Sequence, residues 1–343
     1  MSSTPHQEHT GVPSAAERVT LADPALDQWI KDGLVQVEDL LMQELSQGEA
    51  FVSDKVRHLA EAGGKRFRPM FALLASQFGP NPGDPQVIKA ATVVEMTHLA
   101  TLYHDDVMDE ADKRRGVDSA NFRWNNSVAI LAGDYLLAHA SRLMATLGMP
   151  TVAHFAETFG ELVTGQMRET IGCTDGNHIQ HYLDVVREKT GVLIASAGYL
   201  GSLHAGAPKE DVAALHRCGY AIGTVFQIVD DIIDIFSSPD QSGKNPGTDL
   251  REGVFTLPVL YALEEDTEVG QQLRELLQGP LGDDDAAVAR ALDLLERSTG
   301  RRKALEDVQR FVDQALAELD RLPDIPANRA LRQLTEYTVS RVG

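Results

Sequence analysis

Residues 87–110 read VIKAATVVEMTHLATLYHDDVMDE, and the spacing inside this stretch decides the fold. Ala91, Val94, His98, Thr101 and Asp105 recur at three- and four-residue steps, the period of one helix face. The run is apolar, yet it closes on three carboxylates, Asp105, Asp106 and Asp109. The same spacing returns at Asp230, Asp231 and Asp234 inside QIVDDIIDI, residues 227–235. Residues four apart share a helix face, so Asp105 projects with Asp109, and Asp230 with Asp234.

Helical periodicity extends outward from this segment, and alternating valine-rich strands are hard to find. Gly and Pro punctuate the chain at FGPNPGDP (78–85), TLGMP (146–150) and SSPDQSGKNPGTD (237–249). The stretch from Ala286 to Leu322 is amphipathic, with one break near Gly300. These marks predict an all-α chain of many antiparallel helices, one domain over 23–343. Residues 1–22 are expected to be a disordered tail, since the polar opening lacks a basic start and an apolar core segment.

The 343 residues are 43% hydrophobic and 24% charged, ample for a large core. A net charge of −20 argues against nucleic acid as partner, because no basic stripe exists to release phosphate counterions. Small phosphate-bearing molecules remain open, since bound metals can hold them. Cys173 and Cys218 form no CxxC pair and read as reduced interior residues of a cytoplasmic protein. No uninterrupted apolar run approaches the roughly 20 residues of a membrane helix.

Three carboxylates this close repel one another, and burial would push some of them toward the neutral form. A divalent cation removes the difficulty. Magnesium suits hard oxygen donors and leaves positions for water and substrate phosphate. A calcium loop is disfavoured by the missing turn glycine and twelfth-position glutamate. One such cluster in an acidic protein is commonly a solvated helix end; two on apolar helices are harder to dismiss.

Basic residues are scarce and clustered. GGKRFRP (63–69) sets Lys65, Arg66 and Arg68 beside two glycines, and DKRRG (112–116) sets Arg114 and Arg115 just past the first aspartates. Arginine forks grip phosphate through two hydrogen bonds and lysine adds point charge. Pro69 is expected to start a helix whose positive end lies near the basic cluster. The residues therefore describe a helical pocket with two magnesium-binding rims and two cationic patches, a site for two diphosphates. Kinase chemistry is disfavoured, since neither GxxxxGK[ST] nor a kinase glycine-rich loop occurs.

In order along the chain stand GGKRFRP, HLATLYHDDVMDEADKRRG, GDYLLAHA, GQMRE, REKTG, GTVFQIVDDIIDI and GKNPGTDLREGVFTLP. From about residue 30 onward this series resembles the class I trans-polyprenyl diphosphate synthases. The resemblance implies helices around a deep central cavity, a homodimer, and head-to-tail condensation of isopentenyl diphosphate with an allylic diphosphate. The allylic primer would be dimethylallyl, geranyl, farnesyl or geranylgeranyl diphosphate. No transmembrane segment is implied, though the product could leave at a membrane surface.

Carried over by position, Asp105 and Asp109 would hold two Mg2+ ions on the allylic diphosphate, with Asp106 supporting. Asp230 would hold a third, with Asp231 and Asp234 shaping that rim. Arg114, Lys189 and Lys244 would contact the allylic diphosphate, and Lys65, Arg68, His98 and Arg115 would form the isopentenyl diphosphate site. Thr190, Gln227 and the Lys189 carbonyl match cation-stabilising positions; Gln166 and Glu169 match polar positions in the cavity. After DLREG many relatives carry a lysine, where this chain has Val254.

In farnesyl-making members a bulky aromatic sits four or five residues before the first aspartate and stops the growing tail. Here those positions are Thr101 and Ala100, with Thr97 a turn below, all small. The resemblance then implies a product of geranylgeranyl length or longer. A terpene cyclase shares the fold but needs no isopentenyl site, and its second metal motif differs from a full DDxxD. A non-catalytic subunit of a heteromeric synthase generally lacks the aspartates that this chain keeps.

Overall fold

The structure, a computed structural model, describes residues 20–237 and 246–341; Lys244 and residues 1–19 of the expected tail lie outside the described residues. The chain opens with α1 (Pro24–Leu45), α2 (Ala50–Glu61), α3 (Phe67–Ser76) and α4 (Pro85–Met108). The Gly/Pro-rich segments set the helix starts: Asp84 caps α4 by accepting from Gln86 N at 2.8 Å, and Pro85 fills the first position. A small antiparallel hairpin, β1 (Lys113–Arg114) and β2 (Val117–Asp118), follows α4 and interrupts the all-α expectation only locally.

Then come α5 (Ala120–Arg123), α6 (Asn126–Ala145), α7 (Met149–Ile171) and α8 (His178–Val186). A π-helical turn (Arg187–Gly191) joins α8 to α9 (Val192–His204), and α10 (Lys209–Phe236) follows. The remainder comprises α11 (Thr248–Glu252), α12 (Leu257–Leu263), α13 (Glu268–Leu276), α14 (Asp285–Arg297), α15 (Gly300–Leu319) and α16 (Pro326–Ser340). The expected break near Gly300 is the junction of α14 and α15.

The core is built around α4 and α10. α4 packs against α6 and α3, and α10 against α9 and α15, while α3 and α9 bridge the two. α9 is buried almost all round, which explains why its sequence shows little amphipathic period. α10 meets the length and hydropathy of a membrane span, but 67% of that window is buried inside the fold. Its apolar surface serves the core.

Two expectations need correction. α3 begins at Phe67, not Pro69, because Arg66 takes a left-handed conformation at φ 47° and turns the chain into the helix two residues earlier. Cys218 is interior, but Cys173 is only half-buried, lying in the loop after α7, where its thiol meets Asp175.

Candidate functional site

Both aspartate clusters fall at the C-terminal ends of their helices, in the last turns of α4 and α10. Helix C-termini carry partial negative charge, so carboxylates there are disfavoured twice, by the dipole and by each other. The fold resolves this differently for each residue. Asp106 is fully buried and accepts from Arg114 Nε at 2.6 Å. Asp231, likewise buried, accepts from the Tyr182 hydroxyl and from Gln227 Nε2 at 2.9 Å. Asp105 and Asp230 instead line a common cavity of about 530 Å³.

Burial raises the Asp105 carboxyl to about 6; Lys189 opposes this and Asp109 adds to it. Asp109 closes the rim, with Arg114 Nη2 at 3.8 Å. Across the cavity, Asp230 pairs with Arg341, just past the end of α16, at 2.8 Å. Asp234 lies below that rim, where its Oδ2 accepts from Asp249 N at 3.4 Å.

The same cavity is lined by Lys65, Arg66, Arg68, His98, Arg114 and Arg115. Their convergence depends on Glu95, an α4 carboxylate only 1% exposed. Arg66 Nη1 donates to Glu95 at 2.8 Å, and Arg115 Nη2 stands 4.0 Å from it. Arg68 is half-buried without such a pair, and its buried Nε has no hydrogen-bond partner. Burial first, then Arg115, pull its guanidinium down to about 10, against Glu95. Burial, reinforced by Arg68 and Arg115, holds the His98 imidazole well below its ordinary value. This is a pocket with surplus positive charge at the start of α3, where an anion is favoured by helix dipole and side chains together.

Local backbone geometry makes that convergence possible. Arg115 sits at φ 53° and Gly116 at φ 79°, the paired positive values of a tight two-residue hairpin turn. A non-glycine residue there is strained. The turn sends Arg115 Nη1 to the Leu59 carbonyl at 3.0 Å and to that of Gly63. Gly64 lies at φ 155°, where a side chain is strained, and a Cβ there would stand 2.9 Å from the Arg115 guanidinium carbon and displace it.

The π-helical turn faces the cavity. Extra-residue turns of this kind concentrate at functional sites, because they re-aim side chains without ending the helix. Here Lys189 and Thr190 reach the cavity, together with Gln166 of α7 and Gln227 of α10. Thr190 donates to Gln227 Oε1 at 3.2 Å, and Lys189 Nζ meets Glu169 at 2.5 Å. A Cβ at Gly165 would come within 2.6 Å of the Glu188 Cβ, so α7 can press against the turn only through glycine.

Deeper walls are apolar: Leu102, Leu162, Leu193, Ile194 and Phe226. Of the three residues expected to gauge product length, Thr101 lines the cavity. Ala100 and Thr97 lie fully buried in the interior instead. One helical step rotates a side chain by about 100°, enough to move Ala100 off the wall that Thr101 occupies. Val254 is half-exposed beyond α11, so its apolar side chain is not enclosed by the fold.

Sequence reasoning missed Glu95, Phe226, Tyr182 and Arg341. Glu95 left a signal, a carboxylate inside VVEM three residues before His98. Tyr182 and Arg341 left none, because their partners are distant in the chain.

The chain belongs to the polyprenyl synthetase family, whose sequence profile residues 49–295 match. It is 54% identical over 326 residues to the nonaprenyl diphosphate synthase of Mycobacterium tuberculosis, covering 95% of this chain and 97% of that one. It is 45% identical over 323 residues to the dimethylallyltranstransferase of the same organism, covering 94% and 98%. A solved structure of geranylgeranyl pyrophosphate synthase from Corynebacterium glutamicum, complexed with calcium and isoprenyl diphosphate, matches with TM-score 0.88. That match is at 65% identity over 95% of this chain and 100% of that one.

Among the described residues no three acidic, histidine or cysteine side chains form a ready-made metal cage. The donors that do line the cavity, single carboxylates on opposite walls, fit a hard divalent ion completed by phosphate oxygens and water. The raised Asp105 carboxyl supplies a sign. A carboxyl near 6 when folded and near 3.8 otherwise binds protons more tightly in the folded chain, so its ionisation lowers stability as pH rises through that window. Asp105→Asn should therefore raise the melting temperature of the metal-free protein at pH 7, while turnover falls on the order of a hundredfold or more. Melting and steady-state rates measured on one preparation check both; a lower melting temperature with normal turnover would contradict the assignment.

Proposed function

We propose that the chain condenses isopentenyl diphosphate with an allylic diphosphate, head to tail, as a trans-polyprenyl diphosphate synthase. One observation carries the reading: a single cavity is lined by Asp105 and Asp230 from opposing helices and by the arginine cluster around Glu95. The aspartate side takes the allylic diphosphate, with Asp105, Asp109 and Asp230 as ligands of three Mg2+ ions. When bound, these ions neutralise the diphosphate as it departs. Arg114 and Lys189 add positive charge to the same group. Lys65, Arg68, His98 and Arg115 hold isopentenyl diphosphate, with His98 neutral and acting as a hydrogen-bond partner.

The carbon–oxygen bond of the allylic substrate breaks, leaving a carbocation beside Thr190 and Gln227. Their oxygens, with the Lys189 carbonyl, offer partial negative charge to it. The isopentenyl double bond forms the new carbon–carbon bond, and the departed diphosphate accepts the proton that is lost. Apolar walls exclude water from the cation. The lengthened tail runs down past Thr101, and the small side chain there leaves room for a product of geranylgeranyl length or longer. The named relatives that make geranylgeranyl and nonaprenyl diphosphates support that range.

Residues 23–343 act as one domain in this reading, and two copies associate through α6 and α7. Those helices expose Ile130, Leu131, Met149, Val163, Met167 and Ile171, more large apolar surface than a lone helix pair ordinarily shows water. The enzyme is placed in the cytoplasm, with the apolar product released at a membrane surface.

Labelled isopentenyl diphosphate, an allylic primer and magnesium should give a ladder of products ending at geranylgeranyl or beyond. Thr101→Phe should shorten the main product by at least one isoprene unit. An unchanged distribution would remove Thr101 from the wall. Leu131→Arg should shift the chain toward monomer in size-exclusion chromatography with light scattering; a retained dimer would move the interface elsewhere.

A further inference from the structure

The second aspartate of each cluster is turned into the protein. Asp106 is fully buried and tied to Arg114 of the hairpin. Asp231, only 7% exposed, takes no part in the cavity wall that Asp230 forms. Both its oxygens are engaged, Oδ2 by the Tyr182 hydroxyl and Oδ1 by Gln227 Nε2 at 2.9 Å. Gln227 Oε1 in turn accepts from the Thr190 hydroxyl at 3.2 Å. A continuous chain thus runs from α8 through α10 to the π-helical turn.

We infer that Tyr182 is a positioning residue for the condensation: its bond to Asp231 fixes α10 against α8 and the π-helical turn, so that Asp230 and Lys189 address the same diphosphate. The argument is geometric. Tyr182 stands seven residues before Lys189, two turns of the same helical run, and its ring packs among the side chains around Val225 and Ile228. Its hydroxyl donates to a carboxylate, one of the stronger hydrogen bonds available to a side chain. Removing it leaves a buried acceptor with one donor where two were needed. α10 can then rotate or slide toward water, carrying Asp230 with it. A displacement near 1 Å at a reacting centre lowers rates by about a hundredfold.

The alternative is that Asp231 is itself a metal ligand, with Tyr182 merely its resting partner. The two differ in what Tyr182 controls. If Asp231 is an anchor, losing the tyrosine hydroxyl and losing the carboxylate are the same lesion. If it is a ligand, only the second removes a metal contact.

The inference rests on the reading that this cavity takes an allylic diphosphate. A wild-type chain that fails to elongate such a primer defeats that reading; the outcomes below concern Tyr182 alone. Tyr182→Phe, Asp231→Asn and the double variant are made in the full chain. For each, kcat, the KM for isopentenyl diphosphate, the melting temperature and magnesium-dependent calorimetric binding of inorganic diphosphate are measured. Tyr182→Phe should lower kcat by about ten- to a hundredfold, leaving that KM within about twofold, because Arg68, His98 and Arg115 stand on α3, α4 and the hairpin. Asp231→Asn should match it, and the double variant should be no worse than the poorer single, as expected for residues acting through one bond. Wild-type kcat in Tyr182→Phe, or additive losses, overturns the proposal. So does loss of magnesium-dependent diphosphate binding in Asp231→Asn alone. If Tyr182→Phe melts below the assay temperature, Asp231→Asn decides: lowered kcat with diphosphate binding retained supports the anchor, and any other result overturns it.

Discussion

Repulsion among carboxylates at the ends of α4 and α10 is the constraint on which the rest of the structure turns. Six aspartates are placed where helix dipoles already carry negative charge. No core could tolerate them unaided. Each cluster therefore surrenders one carboxylate to the interior, Asp106 to Arg114 and Asp231 to Tyr182 and Gln227. Among the described residues, Lys189 and Arg114 partly offset Asp105, and Arg341 pairs with Asp230. In the proposed function, a metal-bound diphosphate fills that shortfall. Stability is given up at the site that needs the charge.

The opposite imbalance stands among the arginines near the start of α3. Arg66, Arg68 and Arg115 gather around the buried Glu95, and Arg66 also pairs with Glu38, so the three arginines still outnumber the two glutamates. Strain is spent to bring them there: Arg66 and Arg115 both adopt left-handed backbone conformations, which only a well-determined surrounding structure sustains. One cavity thus holds an electronegative and an electropositive half. In the proposed reading the first half takes a diphosphate together with metal, and the second takes one directly. A single fold can therefore orient two similar anions differently without confusing them.

Much of this was legible in the sequence. The period around His98 and Asp105 gave the helix, and the paired aspartate spacing gave the rims, because both depend on residues within two turns. The basic cluster was legible as a cluster, but not its organiser, since Glu95 lies some thirty residues from Arg66 and acts through packing. Tyr182 was invisible for the same reason: its partner is 49 residues away. The start of α3 was misjudged because proline chemistry favours a first-turn position, whereas the left-handed Arg66 set the boundary earlier. Ala100 and Thr101 are adjacent and both small, so only the rotation of α4 in its packed setting separates wall from core.

The division of the cavity into a metal-dependent half and a metal-independent half is tested most directly by the stoichiometry of inorganic diphosphate binding. Calorimetric titration would be run on the full chain in chelator and again in magnesium. The account predicts one diphosphate per chain in chelator, held by the arginine cluster, and a second only when magnesium is present. Two sites filled in chelator, or no second site with magnesium, would contradict it.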